Sequence, residues 1–316
     1  MGDGTFSIRR YTPADKEAWN AFVKKSKNGT FLFDRNYMDY HKSRFEDCSL
    51  MVCRKGALWA LLPANRDGDR FCSHQGLTYG GFVTDTVATA GDMVTVLTLL
   101  NGLLREHGFR QVVYKAVPWI YHRVPAEEDI YAIYKVCGVH LAARDISSAI
   151  VMSRRLKWHH SRKCGVNRCR KDGVTVQRSD DFEGFWQVLN GNLMTNYGVR
   201  AVHTLDEILL LKSRFPDNIL LYTAVRGGEV LGGTVLYLTP QVVHAQYISA
   251  SPEGKRLRVI DAIYDVILNH DFVNAPYFDF GKSTEGDGHV LNESLIFQKE
   301  GFGGRGVCYD RYEWSL

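Results

Sequence analysis

The chain contains no stretch approaching the roughly 20 apolar residues of a membrane span, and residues 1–10 carry no apolar run of the kind that opens a secretory signal. A cytoplasmic location is therefore expected. Phe6 occupies the position where N-myristoylation wants Ser or Thr. The seven cysteines are odd in number and lack a framework spacing, which points to reduced thiols rather than disulfides. In such a compartment the sequons at Asn28 and Asn292 stay unglycosylated. No Gly-x-Ser-x-Gly elbow occurs and no cysteine lies beside a motif histidine, so a serine or cysteine nucleophile is not expected. Gly281-Lys282-Ser283 looks like the tail of a phosphate-binding loop, but Pro276 stands where the first glycine of that loop belongs. His159, His160, Cys164 and Cys169 are loosely spaced among cations that would repel a zinc ion, so no metal site is expected.

Acids are missing from one place in particular. Residues 154–171 hold Arg154, Arg155, Lys157, Arg162, Lys163, Arg168, Arg170 and Lys171 with no carboxylate between them. The net charge of +4 is otherwise small, so the distribution matters more than the sum. A cationic helix of this kind can meet a phosphate, a tRNA backbone or a nucleotide-linked precursor, or it can simply be a solvated face. Trp158 is the only aromatic interleaved with the cations, which argues against dedicated single-strand binding.

With 316 residues, 45% hydrophobic and 23% charged, the chain is long enough for two packed domains. Residues 6–9 read as a strand. Thr12-Pro13-Ala14-Asp15 then reads as a helix start, with an N-cap, Pro at N1 and an early acid. Residues 31–45 are aromatic-rich and helical in their later part. Residues 50–53 and 58–63 make a hairpin around Lys55-Gly56. Three glycines close together in residues 73–82 suggest close backbone approach. Helices are expected over 93–107 and 126–137, with a strand over 112–117 between them.

The second half repeats the order. A strand at 174–178 precedes helices at 182–193 and 205–215. A hairpin over 220–225 and 230–238 turns at Gly227-Gly228. A strand follows at 242–250, then a helix from Ser251 and a strand at Tyr277. The two glycine turns lie about 170 residues apart, and the later elements keep nearly that offset. We read a duplicated α/β unit with mixed sheets, divided as 1–150 and 151–316, with the basic helix 154–171 leading into the second copy.

Residues 277–304 carry a family resemblance. The run Tyr277-Phe278-Asp279-Phe280-Gly281-Lys282-Ser283 ends a strand, and Lys299 stands three residues before Phe302-Gly303. This pattern resembles the last domain of the Fem family of peptidyltransferases and their GNAT-fold relatives, although Gln298 replaces the usual Phe before the lysine. The basic helix resembles the Fem lead-in "R-x-x-I-R-K-A-x-K-x-G-V". The resemblance implies two tandem GNAT-like domains that move an acyl group to an amine. It also makes a bacterial source and a role in envelope or polysaccharide synthesis plausible.

Coenzyme A thioester is the leading expected donor. By that resemblance it would lie along Ile248, Ser249 and Ala250, with its phosphates on Gly254, Lys255 and Arg256. Pro252 and Glu253 depart from the family's glycine-rich pattern there. The alternative donor is aminoacyl-tRNA, and a third reading is a non-catalytic anion-binding module. The catalytic candidates at strand ends are His244, Tyr247, Asp279 and Lys299. Asp279 would accept a proton or orient the amine, Tyr247 would protonate the leaving group, and Lys299 would stabilise the oxyanion as the resemblance implies. His74, Tyr79, Lys282 and Arg162 are the expected contacts to the acceptor, a small molecule or an envelope precursor.

Overall fold

The computed structural model describes residues 5–316. The chain begins β1 (Phe6–Arg10), α1 (Lys16–Lys25), α2 (Arg35–Met38), β2 (Glu46–Asp47), β3 (Leu50–Arg54), β4 (Ala57–Leu62), β5 (Asn65–Asp67), β6 (Arg70–Cys72), β7 (Val83–Thr84), α3 (Ala90–Glu106), β8 (Gln111–Lys115), α4 (Glu128–Val136) and β9 (His140–Val151). It continues α5 (His160–Lys171), β10 (Thr175–Ser179), α6 (Phe182–Tyr197), α7 (Leu205–Arg214), β11 (Ile219–Arg226), β12 (Glu229–Leu238), β13 (Val242–Ala250), α8 (Pro252–Leu257) and α9 (Val259–Val266). It ends β14 (Tyr277–Lys282), β15 (Thr284–Glu285), β16 (Val290–Leu291), α10 (Glu293–Glu300) and β17 (Arg305–Ser315). The fold is mixed α/β.

Two compact units form. Unit 1 takes the chain up to Ile146 with Thr284–Val290 and Cys308–Leu316, and unit 2 takes Ser147–Ser283 and Leu291–Val307. The last stretch of the chain, which the sequence division gives to the second domain, thus groups with unit 1. The strands β9 and β17 each start in one unit and finish in the other. Neither strand is evident in the sequence reading.

Unit 1 pairs β1-β3-β4-β7 in one sheet, and its second sheet runs β17-β8-β6-β5-β2. Its core is built on Trp59, Phe71, Phe82, Leu97 and Trp314, all at most 2% exposed. Two polar groups inside that core are matched, whereas the Trp59 indole N–H has no partner among the described residues. Trp314 donates to Asn101 at 3.1 Å, and Tyr114 accepts from the Phe82 amide at 2.8 Å while donating to Asp129.

Unit 2 orders its strands β10-β11-β12-β13-β14-β9. The β11–β12 hairpin closes at Arg226↔Glu229 through Gly227 and Gly228, both with positive φ, as a two-residue turn demands. One face of the sheet buries Val243, Ala245, Phe278 and Ile150 with Tyr264, Ile263 and Phe302. Tyr264 packs edge-on against Phe280 at 5.0 Å and Phe302 at 4.9 Å. A buried Phe or Ile contributes about 1.5–3 kcal/mol, so this aromatic cluster anchors β14 and the turn after α10. The helix expected from Ser251 is broken: Arg258 adopts φ +65° and separates α8 from α9.

Candidate active site

The strands β13 and β14 are the only parallel pair in unit 2 among the described strands, and they pair at three positions: Val242↔Tyr277, Val243↔Phe278 and His244↔Asp279. Beyond His244 the pairing stops. β13 runs on to Ala250 against β12, and β14 runs on to Lys282 with β9 on its other side. The two strands therefore part at His244 and Asp279.

A bulge shapes what lies past that point. Tyr237 pairs with His244, Leu236 with Ala245, and Val235 with Tyr247, so Gln246 is the extra residue. Tyr237 and Val235 lie two apart and share a face. Their partners His244 and Tyr247, three apart, therefore share it as well. α6 covers this face. A side chain at Gly233 would meet Phe185 at 2.7 Å, and Trp186 packs edge-on against Tyr247 at 5.3 Å.

At the fork, His244 Nδ1 lies 2.8 Å from Asp279 Oδ2. Asp279 is fully buried, and its other oxygen accepts from Ser147 Oγ and from the Gly281 amide at 3.2 Å. A carboxylate that accepts from Nδ1–H fixes the imidazole tautomer with its lone pair on Nε2. The residue after Phe280 adopts a conformation that favours glycine: Gly281 has φ +78°, and a Cβ there would make an ordinary 3.5 Å contact with the His244 ring.

Tyr247 Oη sits 2.5 Å from His203 Nδ1 and accepts from the His203 amide at 3.3 Å. Burial pushes the phenol up to about 12, so it keeps its proton across the neutral range. The His203 loop is itself pinned, because Trp186 Nε1 donates to the His203 carbonyl at 3.2 Å. His203 and Ser147 are absent from the sequence reading; both lie far in the chain from the groups they orient. Ser249, two residues beyond Tyr247, is buried and its hydroxyl has no partner among the described residues.

Lys299 behaves differently from the expected oxyanion donor. Its ammonium donates to Gly281 O at 2.8 Å, Lys282 O at 2.6 Å and Ser283 Oγ at 2.9 Å. All three N–H bonds are engaged, which leaves none for a substrate oxygen in this arrangement. Burial pulls its pKa down to about 8, with the Asp279 carboxylate pulling the other way. The lysine thus fixes the end of β14 and the residue that follows it.

The remaining expected residues separate. Arg162 is committed to the buried Asp261 at 3.0 Å, which also holds Arg258 at 2.6 Å, so it ties α5 to α9. Lys282 is exposed. His74 and Tyr79 belong to unit 1. Tyr79 donates to Thr30 at 3.0 Å, and His74 is buried with φ +59° and a pKa that burial holds well below the usual imidazole range. Cys169 is fully buried, whereas Cys164 and His160 are exposed.

The expected diphosphate cradle at α8 is a poor fit for coenzyme A. Pro252 has no N–H to offer, and the Gly254 amide is taken by Ser251 Oγ at 3.0 Å. Glu253 brings a negative charge, held down to about 2 by its bonds to Arg256 and then Arg226. Those bonds also occupy Arg256, at 2.6 Å. Lys255 donates to Asn192. Gly254 packs so tightly that a side chain would lie 2.1 Å from Leu231 O. A cavity of about 390 Å³ does open here, but Lys255 is its single cation, beside the neutral Gln187, Asn192, Thr195 and Asn196. One lysine and no free amide nest do not hold a diphosphate. Ile248 and Ala250 lie on the reach of β13 that pairs with β12 but not with β14.

No protein-family model and no curated protein sequence matches the chain. Solved structures do. "Crystal structure of FemX" shares 12% identity over 98% of this chain and 97% of that one, with a TM-score of 0.67. The C-terminal domain of a putative lysylphosphatidylglycerol synthetase from Agrobacterium fabrum shares 12% over 95% and 91%, with a TM-score of 0.61. A tandem GNAT protein from the clavulanic acid biosynthesis pathway shares 10% over 98% of both chains, with a TM-score of 0.51. The expected resemblance therefore holds at the level of fold: this chain has the architecture shared by FemX and tandem GNAT proteins.

Proposed function

We propose that unit 2 transfers an acyl group from an activated ester or thioester to an amine. The observation that carries this reading is the fork between β13 and β14, with the His244–Asp279 pair at its apex. An acyl arm can lie along the edge of β13 that faces away from β12, where the pairing with β14 has ended. The amine nitrogen attacks the carbonyl carbon and gives its proton to His244 Nε2, while Asp279 stabilises the imidazolium. As the C–O or C–S bond breaks, Tyr247 supplies a proton to the leaving atom and regains one through His203. In this reading the transfer is direct, because the hydroxyl at the fork, that of Ser147, is engaged with the Asp279 carboxylate.

Between the two donors, the α8 end favours an aminoacyl ester such as aminoacyl-tRNA. Its terminal ribose is neutral, and the amide-lined cavity of about 390 Å³ suits a neutral polar group better than a diphosphate. The likeness to FemX and to the lysylphosphatidylglycerol synthetase domain supports an envelope precursor as acceptor.

The test is a transfer assay read by mass spectrometry. Mixed aminoacyl-tRNA and, separately, acetyl-CoA are offered with primary-amine acceptors. Acylated product from the tRNA ester and not from the thioester is expected. Product from acetyl-CoA alone would reverse the donor assignment, and product from neither would sink the reading.

A further inference from the structure

Unit 1 holds a cavity of about 590 Å³, lined by both of its sheets and by the C-terminal end of α3. The first sheet supplies Ile8 and Arg10 from β1 and Leu50 from β3. Arg10 pairs directly with Leu50 and lies two residues from Ile8, so the three share a face. The second sheet supplies Glu46, Arg66 and Phe71, one each from β2, β5 and β6. They stand in a row, paired as Glu46↔Arg66 and Arg66↔Phe71, and share a face for the same reason. Leu103 and Leu104 of α3, with Cys48 and Phe109, complete an apolar lining. Ile8 and Leu103 are only half-buried, and Cys48, Leu50 and Phe109 each keep 7% exposure, so the lining has apolar surface to offer an occupant.

The cations at the rim are not equivalent. Arg9 is held by both oxygens of Asp15, at 2.8 and 2.7 Å. Arg66 lies 3.9 Å over the Phe109 ring and donates to the His107 carbonyl at 3.1 Å and the Gly68 carbonyl at 3.3 Å. Glu46, the cavity's single carboxylate, approaches Arg66 only to 3.7 Å. Arg10 is exposed, donates through Nη2 to the Asp47 carbonyl and makes no ion pair among the described residues. The rest of its guanidinium fork is open. Burial pushes the Cys48 thiol up to about 12; Asp47 adds to this, and Arg10 and Arg66 oppose it. Both guanidinium groups therefore act on the cavity floor.

Apolar walls gain from an apolar occupant, and an open guanidinium fork matches a planar carboxylate through two parallel bonds. One molecule answers both: an alkyl chain that ends in a carboxylate. A single open cation, with Glu46 on the same rim, suits a monoanion better than a phosphate dianion. The volume lies in the range of small-molecule sites.

We propose that this cavity binds a medium-length alkyl carboxylate, with its chain against Ile8, Leu50, Leu103 and Phe109 and its head on Arg10. The site stands apart from the transferase reading: His244, Tyr247 and Asp279 do not line it, and binding is measured without turnover.

The test titrates the full chain by calorimetry with hexanoate and octanoate, and with octanol and octyltrimethylammonium as neutral and cationic probes of the same chain length. Octanoate is expected to bind and to raise the melting temperature. Affinity should rise about fourfold for each methylene added between hexanoate and octanoate. The alcohol should bind about tenfold more weakly than octanoate, and the ammonium more weakly still. Arg10→Ala removes an exposed side chain, so it should keep the wild-type melting temperature while losing about tenfold in affinity for octanoate and none for octanol. Leu103→Trp fills the cavity from a half-buried position and should abolish binding of both. Octanoate that fails to bind, equal affinity for the ammonium, or unchanged octanoate affinity in Arg10→Ala would overturn the proposal. So would concentration-dependent dimers that Arg10→Ala or Leu103→Trp dissolves, because the occupant would then be a second copy of the chain.

Discussion

Replacing Lys299 by Met tests the clamp that follows β14. The substitution keeps the length of the side chain and removes its charge. Two carbonyls and the Ser283 hydroxyl then lose their shared donor. Bonds to a charged donor contribute about 1.5–3 kcal/mol each. Against this stands the desolvation of the ammonium, which moves the lysine from its usual 10.5 to about 8. That shift corresponds to about 3 kcal/mol. The net loss expected at pH 7 is about 3 kcal/mol, measured by urea unfolding of both proteins. The pH dependence has a definite sign. Between about 8 and 10.5 the unfolded chain still holds the proton that the folded chain has released. Stability conferred by Lys299 therefore rises with pH through that window, by up to about 3 kcal/mol. Below pH 8 both states are protonated and the difference is flat. A difference that stays flat or shrinks from pH 8 to 10.5 would refute the argument, because it would mean that the three acceptors outweigh burial.

Three further outcomes follow from the geometry. Arg162→Ala leaves the buried Asp261 with only Arg258; a loss of about 3 kcal/mol in urea unfolding is expected, as for other broken buried pairs. Gly254→Ala forces a side chain against the Leu231 carbonyl and should cost about 2 kcal/mol or more by the same measurement. Tyr247→Phe should lower kcat by about 100-fold with KM nearly unchanged. Its stability should fall by only about 1 kcal/mol, the price of the bond to His203.

Much of unit 2 was legible because its signals are local. The Gly227-Gly228 turn, the Ser251 cap and the polar end of Tyr277–Lys282 all follow from neighbouring residues. His244 and Asp279 stood out as polar groups at strand ends, but their contact depends on the parallel register of two strands separated by α8 and α9. Ser147 and β9 were hidden for a different reason. His140–Val151 mixes Arg144, Asp145, Ser147 and Ser148 into an otherwise apolar run, so no clean alternation appears. Both serines are nonetheless buried. The bulge at Gln246 reverses which side chains share a face, and no residue type there announces it. Lys299 was marked by resemblance alone, and its two carbonyl acceptors and the Ser283 hydroxyl could only be seen once residues 281–283 were folded beside α10. At α8, Pro252 and Glu253 already argued in sequence against a phosphate cradle, and the Ser251 cap completes that argument.

The most direct measurement is single-turnover acyl transfer by Asp279→Asn, beside a urea titration showing that the variant remains folded. An amide cannot hold His244 in the tautomer that accepts the amine's proton, nor stabilise its charged form. The chemical step should slow by about 100- to 10,000-fold while the donor binds as before. Wild-type turnover by this variant would contradict the assignment of the forked strands as the place where the acyl group changes hands.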